Sequence, residues 1–160
     1  MIIAAFDPGL SGACAEICFV TPTRRIKQAQ VWDLPTMGAG KQTVLNGADI
    51  SALMQKVEHA VVEHVHAMPG QGVAGMFRFG TAFGQILGIL QALKIPYDLV
   101  SPAKWKRDMG LSGGVGKGEA ARLRAIQLFP SLSGEFKLKK DHNKAEALLL
   151  AHWWMQKGKS

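Results

Sequence analysis

Short apolar runs broken by turn residues fill the first third of the chain, and apolar residues at three-to-four spacing dominate the rest. Met1-Ile-Ile-Ala-Ala-Phe6, closed by Asp7, predicts a first strand over residues 1 to 7, and Pro8-Gly9-Leu10-Ser11-Gly12 supplies a turn. Ala13 to Val20 predicts a second strand, Thr21-Pro-Thr-Arg-Arg25 a hairpin turn, and Lys27 to Leu34 a third strand. The polar, glycine-rich stretch Pro35 to Gly47 reads as loop. Asp49 is placed to cap a helix over about 50 to 59, with Ile50, Leu53, Met54 and Val57 on one face.

Val61 to Val65 predicts a fourth strand, followed by an irregular loop over 66 to 75. A helix over about 76 to 93 carries Gly80, Gly84 and Gly88 at spacing four. Glycine weakens a helix interior, so this row calls for a packing reason, such as close approach to a sheet or to a partner helix. Pro96 to Val100 is a fifth strand. Ser101-Pro102 then starts a short helix through Trp105, with proline at the first helical position. Gly110 to Gly118 is a second glycine-rich loop, and helices over about 118 to 129 and 143 to 157 complete the pattern. Antiparallel strands first and crossovers later imply an α/β fold, a mixed five-stranded sheet flanked by helices, in a single domain over residues 1–160.

Acids punctuate this pattern. Asp7 ends the first strand, Glu63 lies inside Ala60-Val-Val-Glu-His-Val65, and Asp141 and Glu146 flank the start of the last helix. A carboxylate in a buried strand is costly unless paired, and a divalent cation is the common partner that gathers several. The alternatives are specific. Asp7 can be a turn residue, Glu63 can pair with a lysine in the core, and Asn143 with Glu146 fits a capping box.

Composition narrows the partners. Hydrophobic residues make up 48% and charged residues 19%, a globular balance, and 160 residues can bury a real core. No uninterrupted apolar stretch approaches the length of a membrane span, and Arg78, Gln85 and Gln91 interrupt the glycine-row helix. No charged leader with a cleavage pattern opens the chain, so a cytoplasmic setting is expected. Cys14 and Cys18 are about 13 Å apart on a regular strand, too far for a disulfide, and read as core thiols in a reducing compartment. Lys and Arg number 19 against 12 Asp and Glu, a net charge of +7. They cluster at Arg24, Arg25 and Lys27, at Lys104, Lys106 and Arg107, at Lys117, Arg122 and Arg124, and at Lys137, Lys139 and Lys140. Converging acids in a basic chain suggest a metal site working on a polyanion.

Four segments in order, Phe6-Asp7-Pro8-Gly9, Val62-Glu63, Ser101-Pro-Ala-Lys-Trp-Lys106 and Asp141-His-Asn-Lys-Ala-Glu-Ala-Leu148, resemble the RuvC family of Holliday-junction resolvases. The Gly80/Gly84/Gly88 helix and Gly-Val-Gly-Lys-Gly-Glu at 114 to 119 fit the same family, and the closing segment resembles its bacteriophage branch. The resemblance implies an RNase H-like fold, a homodimer, and a nuclease cutting branched DNA with two Mg²⁺ or Mn²⁺ ions. It carries metal ligation to Asp7, Glu63 and Glu146. The family's fourth ligand, an Asp or His three residues before the last acid, falls on Asn143 here. That leaves Asn143 or Asp141, with Asp141 favoured for its charge and His142 a weaker candidate.

In this family an aromatic from the loop after Glu63 enters the junction core. Met68 stands nearest that place, with Phe77, beside Arg78, as the available substitute and Phe79 equally a core residue. Lys104, Lys106 and Lys117, with Arg107, Arg24 and Arg25, are the phosphate-contact candidates, and Lys117 is the first choice for supporting catalysis. Competing expectations are an RNase H-fold nuclease acting on flaps or RNA and an inert junction binder. An actin-like phosphotransferase would need paired domains that 160 residues cannot hold.

Overall fold

The structure is a computed structural model that describes residues 1–64, 66, 72–111 and 116–157, with Lys117 described by its backbone only. Met68, Val65 and parts of both expected loops lie outside the described residues. Strand β1 (Ile2–Asp7) pairs antiparallel with β2 (Ala13–Val20), which pairs antiparallel with β3 (Arg25–Asp33). On its other side β1 pairs in parallel with β6 (His59–Glu63), and β6 in parallel with β7 (Tyr97–Val100). The resulting order β3-β2-β1-β6-β7 is the expected mixed five-stranded sheet.

The helices cover both faces, as buried parallel strands require. Alternation along β1 sends Ile3 and Ala5 to one face and Ala4 and Phe6 to the other. On the first face they meet α4 (Lys117–Leu128) through Ala121 and Ala125 and α5 (His142–Lys157) through Ala145, Leu148 and Leu149. On the second face Ala4, Phe6, Ala60 and Val62 pack on α1 (Gly47–Leu53) and α2 (Val73–Ala92) through Ile50, Ala82, Ile86 and Leu90. A short helix α3 (Pro102–Asp108) follows β7, with Pro102 at its first turn as expected.

Several boundaries differ from the expectation, each for a local reason. Helix α1 begins earlier and is shorter, because Asn46 caps it: the Asp49 amide donates to Asn46 Oδ1 at 3.3 Å. Asp49 is thus inside the helix, not its cap. The stretch read as loop holds a two-strand ladder, β4 (Thr36–Met37) against β5 (Val44–Leu45). Strand β6 ends at Glu63. Between α4 and α5 lie two 3₁₀ turns, Pro130–Phe136 and Lys139–Asp141, in the gap left between the two expected helices.

The glycine row of α2 makes no close approach to any described residue. A Cβ added at Gly80, Gly84 or Gly88 would meet nothing within 4 Å, while Ala82, Ile86 and Leu90 face the sheet. Val73 and Phe77 lie exposed on the same helix. By length and composition α2 is apolar enough to cross a membrane, with mean hydropathy 1.4, contrary to the expectation that no stretch comes near this. Its apolarity comes from a buried row on one side together with small and apolar residues on the open side.

The turn after β1 admits only glycine at one position. A Cβ at Gly12 would lie 2.1 Å from the Asp7 carbonyl oxygen, and the Gly12 amide donates to the Gly9 carbonyl at 3.1 Å. Gly12→Ala is therefore expected to cost about 2 kcal/mol or more, lowering the melting temperature by roughly 4–8 °C for a chain of this size. An unchanged melting temperature would contradict this account of the turn.

Candidate active site

Strand register builds the site. Phe6 pairs with Val62 across the parallel β1–β6 ladder, so Asp7 and Glu63 are the next pair, on adjacent chains about 4.8 Å apart. Period-2 alternation sends both toward the face of Ile3, Ala5 and Val61, the face that α5 covers. Glu146 projects from the second turn of α5 onto the same place. The carboxyl ends of parallel strands are where open α/β sheets place their ligands.

A single ammonium ion closes the cluster. Lys106 of α3 sits 2.6 Å from Glu146 Oε2 and 3.7 Å from Glu63 Oε1. The fully buried Trp105 donates its indole N–H to Glu63 Oε1 at 2.9 Å. Among the described residues nothing donates a hydrogen bond to the Asp7 carboxylate. Burial, then the charges of Glu63 and Glu146, push the Asp7 carboxyl well above its usual range. Burial also raises Glu63, against the lowering pull of Lys106 and Trp105. Desolvation disfavours charge on Lys106, but the acids around it outweigh this and raise its pKa.

These residues suit a hard divalent cation by donor chemistry: three carboxylates, two of them held above their usual pKa by burial and by one another. Among the described residues, however, no three His, Cys, Asp or Glu side chains come close enough together to hold a metal ion. The physical reason is Lys106, whose ammonium lies between Glu63 and Glu146. The expected three-point cage is not formed among the described residues: the acids share one face, with the Lys106 ammonium between Glu63 and Glu146. Of the two readings of Glu63, the core pair with a lysine is realised in this state.

Asp141 is not part of the set. Its carboxylate accepts the Leu138 amide at 2.7 Å and lies 3.4 Å from Lys144. Desolvation works against it, yet that amide and ammonium hold its pKa below the usual range. The structure therefore turns away the candidate favoured for its charge. Asn143 stands one helical turn before Glu146, and its amide donates to the Ser11 carbonyl at 2.5 Å, tying α5 to the turn after Asp7. The capping box expected of Asn143 and Glu146 does not form, because α5 starts at His142 and both side chains look elsewhere. His142 donates from Nδ1 to the Lys139 carbonyl at 3.1 Å and packs on Gly118, away from the acids.

The basic candidates separate. Arg24 and Arg25 stand at the far end of the β2–β3 hairpin, about 23 Å along β2 from the Asp7–Ala13 pair, and Arg24 donates to the Gln156 carbonyl. They are not at the acid site. Lys106, expected to hold phosphates or to support catalysis, faces the acids. Lys104 lies exposed over the Trp153 ring at 5.7 Å, and Arg107 lies exposed 3.8 Å from Asp108, both directed away from the acids. Lys117 opens α4 behind Gly116, whose φ is 91°.

Two grooves flank the centre. One of about 480 Å³ runs between the turn Pro8–Ser11 and Gly75, Arg78 and Phe79. The other, about 450 Å³, lies at the start of α4 and is lined by Gly118, Lys139, Lys140 and His142. Phe77 is 76% exposed, so it is free to stack on a partner, whereas Phe79 is half-buried and stacks on Phe83. The residue missed by sequence reasoning is Trp105. Its signal was present, since an indole in a lysine-rich helix beside a strand end is a donor awaiting a buried acceptor.

No protein-family model matches the chain. It is 32% identical over 121 residues to the chloroplastic Holliday junction resolvase MOC1 of Chlamydomonas reinhardtii, a match that takes in 72% of this chain and 14% of that relative. The chain thus spans a small part of the length of the curated relative it matches. Thermus thermophilus RuvC in complex with Holliday junction substrate superposes with a TM-score of 0.61 at 14% identity, covering 99% of this chain and 97% of that one. A second structure of Thermus thermophilus RuvC gives 0.62 at 16% identity, covering 98% and 96%. The fold is the RNase H-like fold of RuvC, and the chain is a homologue of a Holliday junction resolvase.

The raised Asp7 carboxyl has a signed consequence for stability. The folded chain holds that proton better than the unfolded chain, so the contribution is full below the ordinary carboxylate range and is lost as pH rises through the folded value. In EDTA the wild type should lose stability as pH rises above the ordinary carboxylate range near about 4, and Asp7→Asn should lose less and melt at a higher temperature at neutral pH. Parallel melting curves for the two proteins would contradict the coupling.

Proposed function

From a chain with the fold of RuvC and homology to a junction resolvase, we propose a divalent-metal-dependent DNA endonuclease that cuts Holliday junctions and other branched DNA. The observation that carries this reading is the convergence of Asp7, Glu63 and Glu146 on one face at the ends of parallel strands. Bound divalent cations, two in the family this chain resembles, would supply the Lewis acidity that activates water and stabilises a leaving 3′ oxygen. Asp7, Glu63 and Glu146 hold that charge, and Trp105 fixes the orientation of Glu63 through its 2.9 Å hydrogen bond. Asn143 is the candidate for the fourth position, because it lies on the Glu146 face of α5 and touches the turn after Asp7. Asp141 instead shapes the turn that leads into α5.

The rim residues suit a polyanion. Lys139 and Lys140 line one groove and Arg78 the other, so phosphates can approach the acids from both sides. Phe77 stands exposed at the start of α2, where stacking on an unpaired base can stabilise by about 1–3 kcal/mol. The family resemblance assigns DNA contact to Lys117 and Met68 as well. A junction has two-fold symmetry, and the open glycine row of α2 is the face on which a second copy would bring a second acid site to the opposite strand.

The test uses a synthetic four-way junction, a linear duplex, a flap and an RNA–DNA hybrid. With Mg²⁺ or Mn²⁺ the protein should nick the junction on two opposed strands and leave the linear duplex whole. Cutting should vanish with EDTA or with Asp7→Asn, while junction binding persists in the variant. Junction binding without cleavage in either metal would overturn the nuclease reading and leave a binding protein. Faster cutting of the flap or the hybrid would replace the substrate.

A further inference from the structure

The cation already inside the acid site is the part that metal chemistry leaves unexplained. Lys106 is not a distant counter-charge: its ammonium touches Glu146 at 2.6 Å and stands 3.7 Å from Glu63, two of the three acids that a divalent ion would need. The position is built rather than incidental. Trp105, the neighbouring residue on α3, is fully buried and tied to Glu63, so the helix that carries Lys106 is fastened to the site by its own hydrogen bond. Pro102 at the first turn of α3 adds rigidity at its other end.

The charges do not balance. Among the described residues three carboxylates face one ammonium, and burial together with the charges of Glu63 and Glu146 raises the Asp7 carboxyl. A lysine is also a flexible point charge on a four-carbon stem, and its side chain here is 24% exposed. Its ammonium also lies 5.2 Å from the ring of the buried Trp105, a cation–π contact inside the site.

We infer that Lys106 is the resident counter-ion of the metal-free site, competing with divalent cations for Glu63 and Glu146 and leaving them when the site loads. This rests on the reading that the acids take a divalent metal. It makes Lys106 a positioning residue with a gating consequence: loading begins only when the cation outcompetes the ammonium, so the free protein binds metal weakly. A divalent ion and Lys106 cannot occupy the same oxygens, since a 2.6 Å ion pair already fills the nearest position on Glu146.

The test measures Mn²⁺ binding to the full chain without DNA, from the loss of the free-ion electron paramagnetic resonance signal. Lys106→Met should bind Mn²⁺ roughly tenfold more tightly than wild type, the scale of removing one charge from a partly screened site. Lys106→Arg, which keeps the charge, should stay near wild type. Mn²⁺ should also raise the melting temperature of the Met variant more than that of wild type. Lys106→Gln serves the same comparison if the Met variant does not fold without metal. Asp7→Asn is the control that assigns binding to this site.

Equal or weaker binding by the Met and Gln variants, with binding still lost in Asp7→Asn, would overturn the inference and leave the metal-site reading standing. Absence of Mn²⁺ binding in every protein would overturn both.

Discussion

Three carboxylates crowded onto one face of a sheet repel one another, and the surrounding structure is arranged around that repulsion. Asp7 and Glu63 end neighbouring parallel strands in register, and α5 lowers Glu146 onto them. Burial raises the cost of charging them, and among the described residues the answer is one indole and one ammonium, both from α3. Asp7 receives no hydrogen bond from a described residue. A fold that wanted only stability would place apolar groups here, because paired buried charges rarely outperform them. An under-neutralised acid cluster is a site held open for positive charge.

The rest of the molecule follows from keeping that cluster in place. Gly12 lets the chain fold back against the Asp7 carbonyl, and Asn143 ties the start of α5 to the same turn. Both faces of the sheet are covered, so β1 and β6 are buried along their length and present only their ends. Helix α2 differs from the others in having two kinds of face. Its Ala82, Ile86 and Leu90 row completes the core, and its glycine row is left open.

Much of this was legible in the residue pattern. Period-2 and three-to-four spacing gave the five strands and the main helices, and acids interrupting apolar strands pointed to Asp7 and Glu63 as candidates, which the register sets side by side. What the pattern could not supply was pairing. That Asp7 and Glu63 are neighbours depends on a parallel register between segments some fifty residues apart, which no local spacing encodes. Asp141 misled for a similar reason: its charge recommended it, but a local turn claims it through the Leu138 amide and Lys144. Arg24 and Arg25 looked like phosphate contacts because they were basic and in a loop. Only the antiparallel register shows that their loop is at the far end of the sheet. Lys106 was read as a lysine that holds phosphates or supports catalysis, and nothing in Lys-Trp-Lys says which lysine turns toward the acids. The glycine row was read as needing a packing reason, and no described residue supplies one.

The most direct check on the acid cluster is anomalous scattering from crystals of the protein soaked in Mn²⁺. The account predicts a manganese peak within about 2.2 Å of carboxylate oxygens from Asp7, Glu63 and Glu146, with the Lys106 ammonium moved off the two glutamates. Manganese bound elsewhere, with Lys106 still joining Glu63 to Glu146, would contradict it.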